Sequence, residues 1–318
     1  MHKSRFLSMK NAIFFFFISV FLLLDFSCRE KITPAYLILK EEDFKDCIDI
    51  KNYNSTHDAS LTPNELSAIA DQTFTAVLVS LNGRELGYWK PPCKIPLLPD
   101  YSKENNIRLI PCVRVPASTF TVEPYYFVSA VEKFFPLEEE GEYRFPKFEL
   151  EYVPSVTFPI LDIFDDGTEF KPNNPGTFPT KMEIYNDSID LKKSIGKIVL
   201  SDSIKYFDVV TDYFPLMGRG ERHFLEIKYK SIDGTMYTHL NFKNSPVGVT
   251  NQDLGIYPAS EGRWQTGYFN ISEWIQKASY TDSKIMVRLQ ITGIKNDEKK
   301  QAEFYFDHIK VITMTALY

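Results

Sequence analysis

In residues 223–230 (HFLEIKYK), Leu225, Ile227 and Tyr229 alternate with Glu226, Lys228 and Lys230, and Phe224 is the one exception. Such period-2 alternation predicts a strand with one face inward and one face wet. Similar short runs follow at 197–201, 236–243, 265–271, 284–292 and 302–313. Asp233-Gly234 marks a hairpin between two of them, and only 272–277 (SEWIQK) reads as helical, capped by Ser272. Strands at this density predict a jelly roll over 157–318. The first half carries β-like runs at 35–40, 73–82, 85–90, 107–115 and 144–153, with the hairpin signal Asn82-Gly83 between the second and third. These predict an immunoglobulin-like β-sandwich over 35–156. Residues 41–72 read as polar and irregular, 128–135 as a helical turn or a strand, and 167–180 as a loop. The expected fold is all-β, with the unit boundary near 156–160.

The N-terminus breaks this pattern. Lys3, Arg5 and Lys10 precede an uninterrupted apolar run at 12–24, followed by Ser27-Cys28. A basic segment and an apolar run too short for a comfortable membrane span form a secretory signal. The Ser-Cys step adds the mark of a bacterial lipoprotein, so residues 1–27 are expected to be removed and Cys28 lipidated. Asp25 and Phe26 depart from the usual leucine and small residue of such signals. Residues 28–34 then form the tether. Cys28-Arg29-Glu30-Lys31 is not followed by an acidic run, so periplasm-facing and outward-facing display both stay open.

Lys+Arg is 36 against 42 Asp+Glu, a formal charge of −6. Removing residues 1–27 takes away Lys3, Arg5, Lys10 and Asp25, which leaves 33 against 41. Charge therefore does not hold the protein on anionic lipid. The lack of a basic block argues against a nucleic-acid partner. The five histidines form neither HExxH nor HxH, and GxSxG is absent, so the zinc-hydrolase and α/β-hydrolase signatures are missing. Gly218-Arg219-Gly220 lacks the rest of a dinucleotide fingerprint. The chemistry expected is binding without catalysis, although 42 acidic residues make chance carboxylate pairs unavoidable.

Cys47, Cys93 and Cys112 remain after export, which permits a disulfide. A hairpin turning at Asp100–Asn106 would set Cys93 opposite Cys112, a closure worth roughly 3 kcal/mol. Pairings with Cys47, or three free thiols, stay open. Trp89, Trp264 and Trp274 are candidates for stacking on sugar rings, with core packing as the competing reading. Tyr125 and Tyr126, in the aromatic stretch 121–127, are candidate contact residues. Asp187-Ser188-Ile189 and Asp202-Ser203-Ile204 match an Asp-Ser-apolar O-glycosylation pattern.

Several short motifs follow one another along the mature chain. They are Pro34-Ala35-Tyr36-Leu37, Ala76–Val79 with Asn82-Gly83 and Leu86-Gly87, and Pro92–Pro96. Leu225–Lys230, Trp264–Asn270 and Phe306-Asp307-His308-Ile309-Lys310 complete the set. This layout resembles that of two-domain lipoproteins of the Bacteroidota, with Ile110-Pro111-Cys112 standing where the layout usually has Pro-Gly. The resemblance implies an outer-membrane lipoprotein that acts as a binding or scaffolding subunit of an outer-membrane protein complex, such as barrel assembly or protein export. The C-terminal half also resembles carbohydrate-binding jelly rolls, which share a Trp strand and a last strand reading F-D-x-[IV]. That likeness implies glycan binding as the alternative function. It also implies a structural calcium held by Asp307 with Asp165 or Asp162, unless Asp307 pairs locally.

Overall fold

The computed structural model describes residues 33–315, apart from 116–120, 146, 190, 192, 219, 244, 246, 247, 249, 258 and 280–283. Cys28 and the expected signal segment 1–27 lie outside the described residues. The chain begins with β1 (Ala35–Leu39), a 3-10 turn (Glu41–Phe44), α1 (Tyr53–Thr56) and α2 (Pro63–Ala70). Next come β2 (Ala76–Leu81), β3 (Arg84–Trp89), β4 (Cys93–Leu97), β5 (Glu104–Arg114), β6 (Val122–Pro124), β7 (Val131–Pro136) and β8 (Glu142–Arg144). They form a sandwich of a three-stranded sheet, β4-β1-β8, and a five-stranded sheet, β3-β2-β5-β6 with β7 also on β5.

The second unit runs through β9 (Val156–Asp162), β10 (Lys171–Pro172), β11 (Glu183–Asp187), β12 (Lys193–Ser201), β13 (Tyr206–Val210) and β14 (Phe214–Met217). It continues with β15 (Glu221–Ile232), β16 (Gly234–Lys243), β17 (Asn251–Tyr257), β18 (Gln265–Asn270), α3 (Ser272–Ser279), β19 (Lys284–Lys295) and β20 (Gln301–Thr315). Two six-stranded sheets face each other here. The inner sheet is β11-β12-β20-β15-β18 with β9 on β20, and the outer sheet is β10-β13-β19-β16-β17 with β14 on β19. The fold is all-β, an immunoglobulin-like sandwich followed by a jelly roll.

Local chemistry accounts for several of these elements. Asn82 and Gly83 both take positive φ, +52° and +78°, as a tight primed hairpin turn requires. Residues 41–72 are more ordered than their polarity suggests. Thr62 and Glu65 form a reciprocal capping box at the start of α2, with Pro63 at its first position, and this satisfies donors the helix would otherwise leave open. On β19, a Cβ at Gly293 would come within 2.1 Å of the Phe207 ring, so only glycine lets β19 lie flat against that side chain.

The expected Cys93–Cys112 hairpin does not form. Cys93 on β4 pairs with Leu39 of β1, whereas Cys112 on β5 pairs with Ala76 of β2. The two cysteines belong to different sheets, and Cys47, Cys93 and Cys112 are free thiols. Strand pairing across long sequence separations overrides the local turn. Burial pushes the Cys47 thiol up to about 11 and that of Cys112 up to about 12.

The polar face of β15 is not wet either. Phe224, Tyr268, Ile312 and Met314, on the back of the inner sheet, belong to the same buried cluster as Tyr125, Phe127 and the N-terminal core. Phe224 meets Phe127 edge-on with ring centroids 5.3 Å apart. The N-terminal sandwich thus covers this sheet, and the one apolar residue that breaks the alternation is an interdomain core residue. Burying such an aromatic side chain is worth about 1.5–3 kcal/mol.

Charges within this interface are paired. Glu226 and Lys310 are both fully buried and lie 2.8 Å apart. Gln72 Nε2 donates to Glu226 over 2.9 Å, and Tyr125 Oη donates to the same carboxylate. Lys310 Nζ also donates to the Ala68 carbonyl near the end of α2, at 3.1 Å, where the helix dipole favours a cation.

Candidate functional site

With its back covered, the jelly roll presents its other exterior, the outer sheet, to solvent. On β19, Val287, Leu289 and Ile291 point into the core, so alternation turns Arg288, Gln290 and Thr292 outward. Cross-strand register sets Asp208 beside Thr292, and Tyr237, His239 and Asn241 beside Thr292, Gln290 and Arg288. β17 adds Asp253 beside His239 and Asn251 beside Asn241. Four strands span about 14 Å at a spacing of about 4.8 Å.

The side chains on this face form a directed hydrogen-bond chain. Asn251 Nδ2 donates to Asn241 Oδ1 at 3.4 Å, and Asn241 Nδ2 donates to Gln290 Oε1 at 2.8 Å. Gln290 Nε2 donates to Asp208 Oδ1 at 2.7 Å, and Asn173 Nδ2 reaches the other carboxylate oxygen at 2.9 Å. The chain therefore converges on Asp208, which is only 6% exposed. Each amide keeps a second N–H for another acceptor. Their orientations are fixed in advance, because such a network holds its members together. Half-buried Tyr206 and Tyr237 supply aromatic surface on the same face, and Phe178 meets Tyr206 edge-on at 4.9 Å.

A second chain lies alongside. His239 Nδ1 is 2.7 Å from Asp253, and Nε2 is 3.2 Å from the Thr292 hydroxyl. In the neutral ring, the carboxylate fixes the proton on Nδ1, so Nε2 accepts from Thr292. The order Asp–His–hydroxyl has the connectivity of a nucleophilic triad, but the surroundings do not supply the rest. The Asp253 side chain is 82% exposed, and Thr292 is 4% exposed. Thr292 also lies where β19 is paired on both sides, with β13 and β16, so the ladder takes up the backbone N–H groups an oxyanion hole needs.

The residues singled out from the sequence lie elsewhere. Tyr125 is fully buried in the interdomain core, so it is not a contact residue. Tyr126 is 37% exposed, with the Arg222 guanidinium 4.0 Å from its ring centroid, on the wall of a cleft of about 320 Å³ between the two units. Trp89, half-buried on β3, packs on the N-terminal core. Trp264 is half-buried, and Lys230 lies 5.0 Å from its ring. Lys230 also lies 4.8 Å from the Tyr305 ring, and Lys197 reaches Tyr305 at 4.9 Å and Tyr185 at 4.8 Å. This cation–aromatic ladder occupies ring surface that a sugar would stack on.

Asp307 and Asp165 do not come together. Asp307 is the extra residue of a β-bulge, since Lys228 pairs with His308 and Tyr229 with Phe306. The bulge turns Asp307 into a buried position between two ammonium groups, Lys193 and Lys228, the latter at 2.9 Å. Lys228 also pairs with Asp71. The carboxyl and imidazole atoms of Asp71, Asp307 and His308 lie within 4.8 Å of one another. Lys228 sits in the cation position among them, so Asp307 makes the local pairing, a lysine bridge, that the sequence left open beside calcium. Asp165 instead accepts from Asn64 Nδ2 at 2.6 Å, on a polar groove of about 690 Å³ that also includes Asp162 and Glu169. Asp162 accepts from the Thr168 hydroxyl and Glu169 N–H at 2.8 Å each, and burial pushes its pKa up to about 6.

No protein-family model matches the chain, and no curated protein matches it. Among solved structures, it is similar to the CBM22-1–GH10 modules of the Clostridium thermocellum xylanase 10B complexed with xylohexaose, at 11% identity and a TM-score of 0.35. That alignment covers 49% of this chain and 28% of the xylanase chain. A carbohydrate-binding module described for the promiscuous specificity of the β-sandwich superfamily aligns at 10% identity and a TM-score of 0.32, covering 76% of this chain and 86% of the module. The Caldicellulosiruptor saccharolyticus CBM27-1 in complex with mannohexaose aligns at 14% identity and a TM-score of 0.31, covering 49% of this chain and 95% of that chain. No residue of the site is assigned from these likenesses.

Proposed function

We propose that this protein is a non-catalytic glycan-binding protein, tethered to the outer membrane by a lipid on Cys28, and that its platform is the solvent face of the outer sheet. The observation that carries this reading is the amide chain from Asn251 through Asn241 and Gln290 to Asp208, with Asn173 closing the far side. A sugar ring offers pairs of hydroxyls at its edge and C–H groups on its face. Fixed amides and a carboxylate match the hydroxyls, and Tyr206 and Tyr237 match the C–H groups. The N-terminal sandwich supports this role because it packs on the opposite sheet and leaves the platform facing away from it.

The test is binding of the full chain, in detergent, to a glycan array. At least one oligosaccharide class should bind, and Gln290→Ala and Tyr237→Ala should each weaken it tenfold or more. Trp264→Ala should leave binding unchanged. An array without binding, or binding that needs Trp264 and ignores Gln290, would overturn the proposal.

A further inference from the structure

One end of the platform carries cations without acidic partners. Arg288 is paired across the sheet with Asn241, and Lys243 at the end of β16 is paired with Met286. The Arg288 guanidinium lies 5.2 Å and the Lys243 ammonium 5.7 Å from the same Tyr213 ring centroid. Among the described residues neither has an ion pair, and Arg288 Nε is buried without a hydrogen-bond acceptor. Two like charges sharing one aromatic ring repel each other, and a buried guanidinium N–H without an acceptor is costly. An anion placed between them relieves the repulsion, and a carboxylate or sulfate accepts charge-assisted hydrogen bonds from both arginine and lysine. The rest of the platform disfavours negative charge, since Asp208 and Asp253 lie further along it. An anionic group therefore has one place to sit, which sets the direction of the bound chain. The protein as a whole is acidic, at −6, so this pair is a local feature.

We propose that the glycan bound here is acidic, a uronate-containing or sulfated saccharide whose anionic group docks between Lys243 and Arg288 above Tyr213 while its hydroxyls meet the amide chain. This rests on the reading of the outer sheet as a glycan platform. The experiment is calorimetric titration of the full chain, in detergent, with oligogalacturonate, a chondroitin sulfate oligosaccharide, xylohexaose and a duplex DNA. At least one of the two acidic saccharides should bind at least tenfold more tightly than xylohexaose. Oligogalacturonate binding would show that a carboxylate suffices, since chondroitin sulfate carries both uronate carboxylates and sulfates. Lys243→Met, an exposed change with little effect on folding, and Arg288→Gln should each remove that preference, and added salt should weaken it. Xylohexaose bound as tightly as both acidic saccharides, with both variants unchanged and Gln290→Ala impaired, would overturn the acidic preference and leave the platform standing. Duplex DNA bound as tightly as the acidic saccharide would show general attraction of polyanions and overturn it as well. No saccharide binding at all would overturn the platform and, with it, this inference.

Discussion

Replacing Lys310 with methionine probes the contact that joins the two sandwiches. The ammonium is fully buried, 2.8 Å from an equally buried Glu226. In Lys310→Met, Glu226 keeps the Gln72 and Tyr125 donors but loses its only countercharge among the described residues, and Ala68 loses its donor. Removing one partner of a buried ion pair is destabilising by about 3–5 kcal/mol. With about 2.1 cal/mol/K of unfolding entropy per residue over roughly 280 residues, that corresponds to a fall in Tm of about 5–8 °C. The double variant Glu226→Gln/Lys310→Met leaves no bare charge and should recover about 2 kcal/mol or more of that loss. The assay is a double-mutant cycle by urea denaturation, followed by tryptophan fluorescence and far-UV circular dichroism. Because one buried cluster contains residues of both units, the two signals should move in a single transition. A loss below about 1 kcal/mol for Lys310→Met, on the scale of a solvent-exposed pair, would show that the pair does not join the two units, as would two separate transitions.

Other outcomes follow from the same structure. Burial holds His223 down at about 4, and its Nε2 donates to the Met217 carbonyl at 2.8 Å. Its folded pKa lies below the unfolded value of about 6.5, so the unfolded chain binds more protons between these values and stability falls as pH drops from about 6.5 towards 4. The full effect is about 3 kcal/mol, and Gln at position 223 should remove it from the difference between denaturation curves at pH 7 and pH 4.5. With Cys47, Cys93 and Cys112 free among the described residues, the unfolded chain should expose all three to a thiol reagent, and the folded chain should protect Cys47 and Cys112. A non-reduced mass two hydrogens lighter would contradict this.

How far the sequence reveals this arrangement differs from element to element. The alternation in 223–230 places Leu225, Ile227 and Tyr229 in the core, as they are, but alternation reports only two faces. It does not distinguish a face in water from one under another sandwich. Phe224 among polar neighbours was the visible sign. Asn82-Gly83 is legible because its backbone demand is local, whereas the Thr62–Glu65 capping box, an equally local signal, is hidden in the polar composition of 41–72. Cys93 and Cys112 misled because a plausible turn lies between them while their strands pair with β1 and β2. The platform is assembled from Asn173, Asp208, His239, Asn241, Asn251 and Gln290, which share no motif. Its one sequence trace is β16, where Tyr237, His239 and Asn241 alternate with Met236, Leu240 and Phe242. Amides and a ring stand there in place of the lysines and glutamates of an ordinary wet face.

Hydroxyl-radical footprinting with and without a saturating array-selected glycan reports whether a glycan lies on the outer sheet. Tyr206, Tyr237 and Met286 are partly exposed on that sheet, whereas Tyr126, Trp89 and Trp264 lie off it. With the glycan on that sheet, the first three oxidise more slowly and the others are unchanged. Protection of Tyr126 or Trp264, with Tyr206, Tyr237 and Met286 oxidised as in the free protein, would contradict that placement.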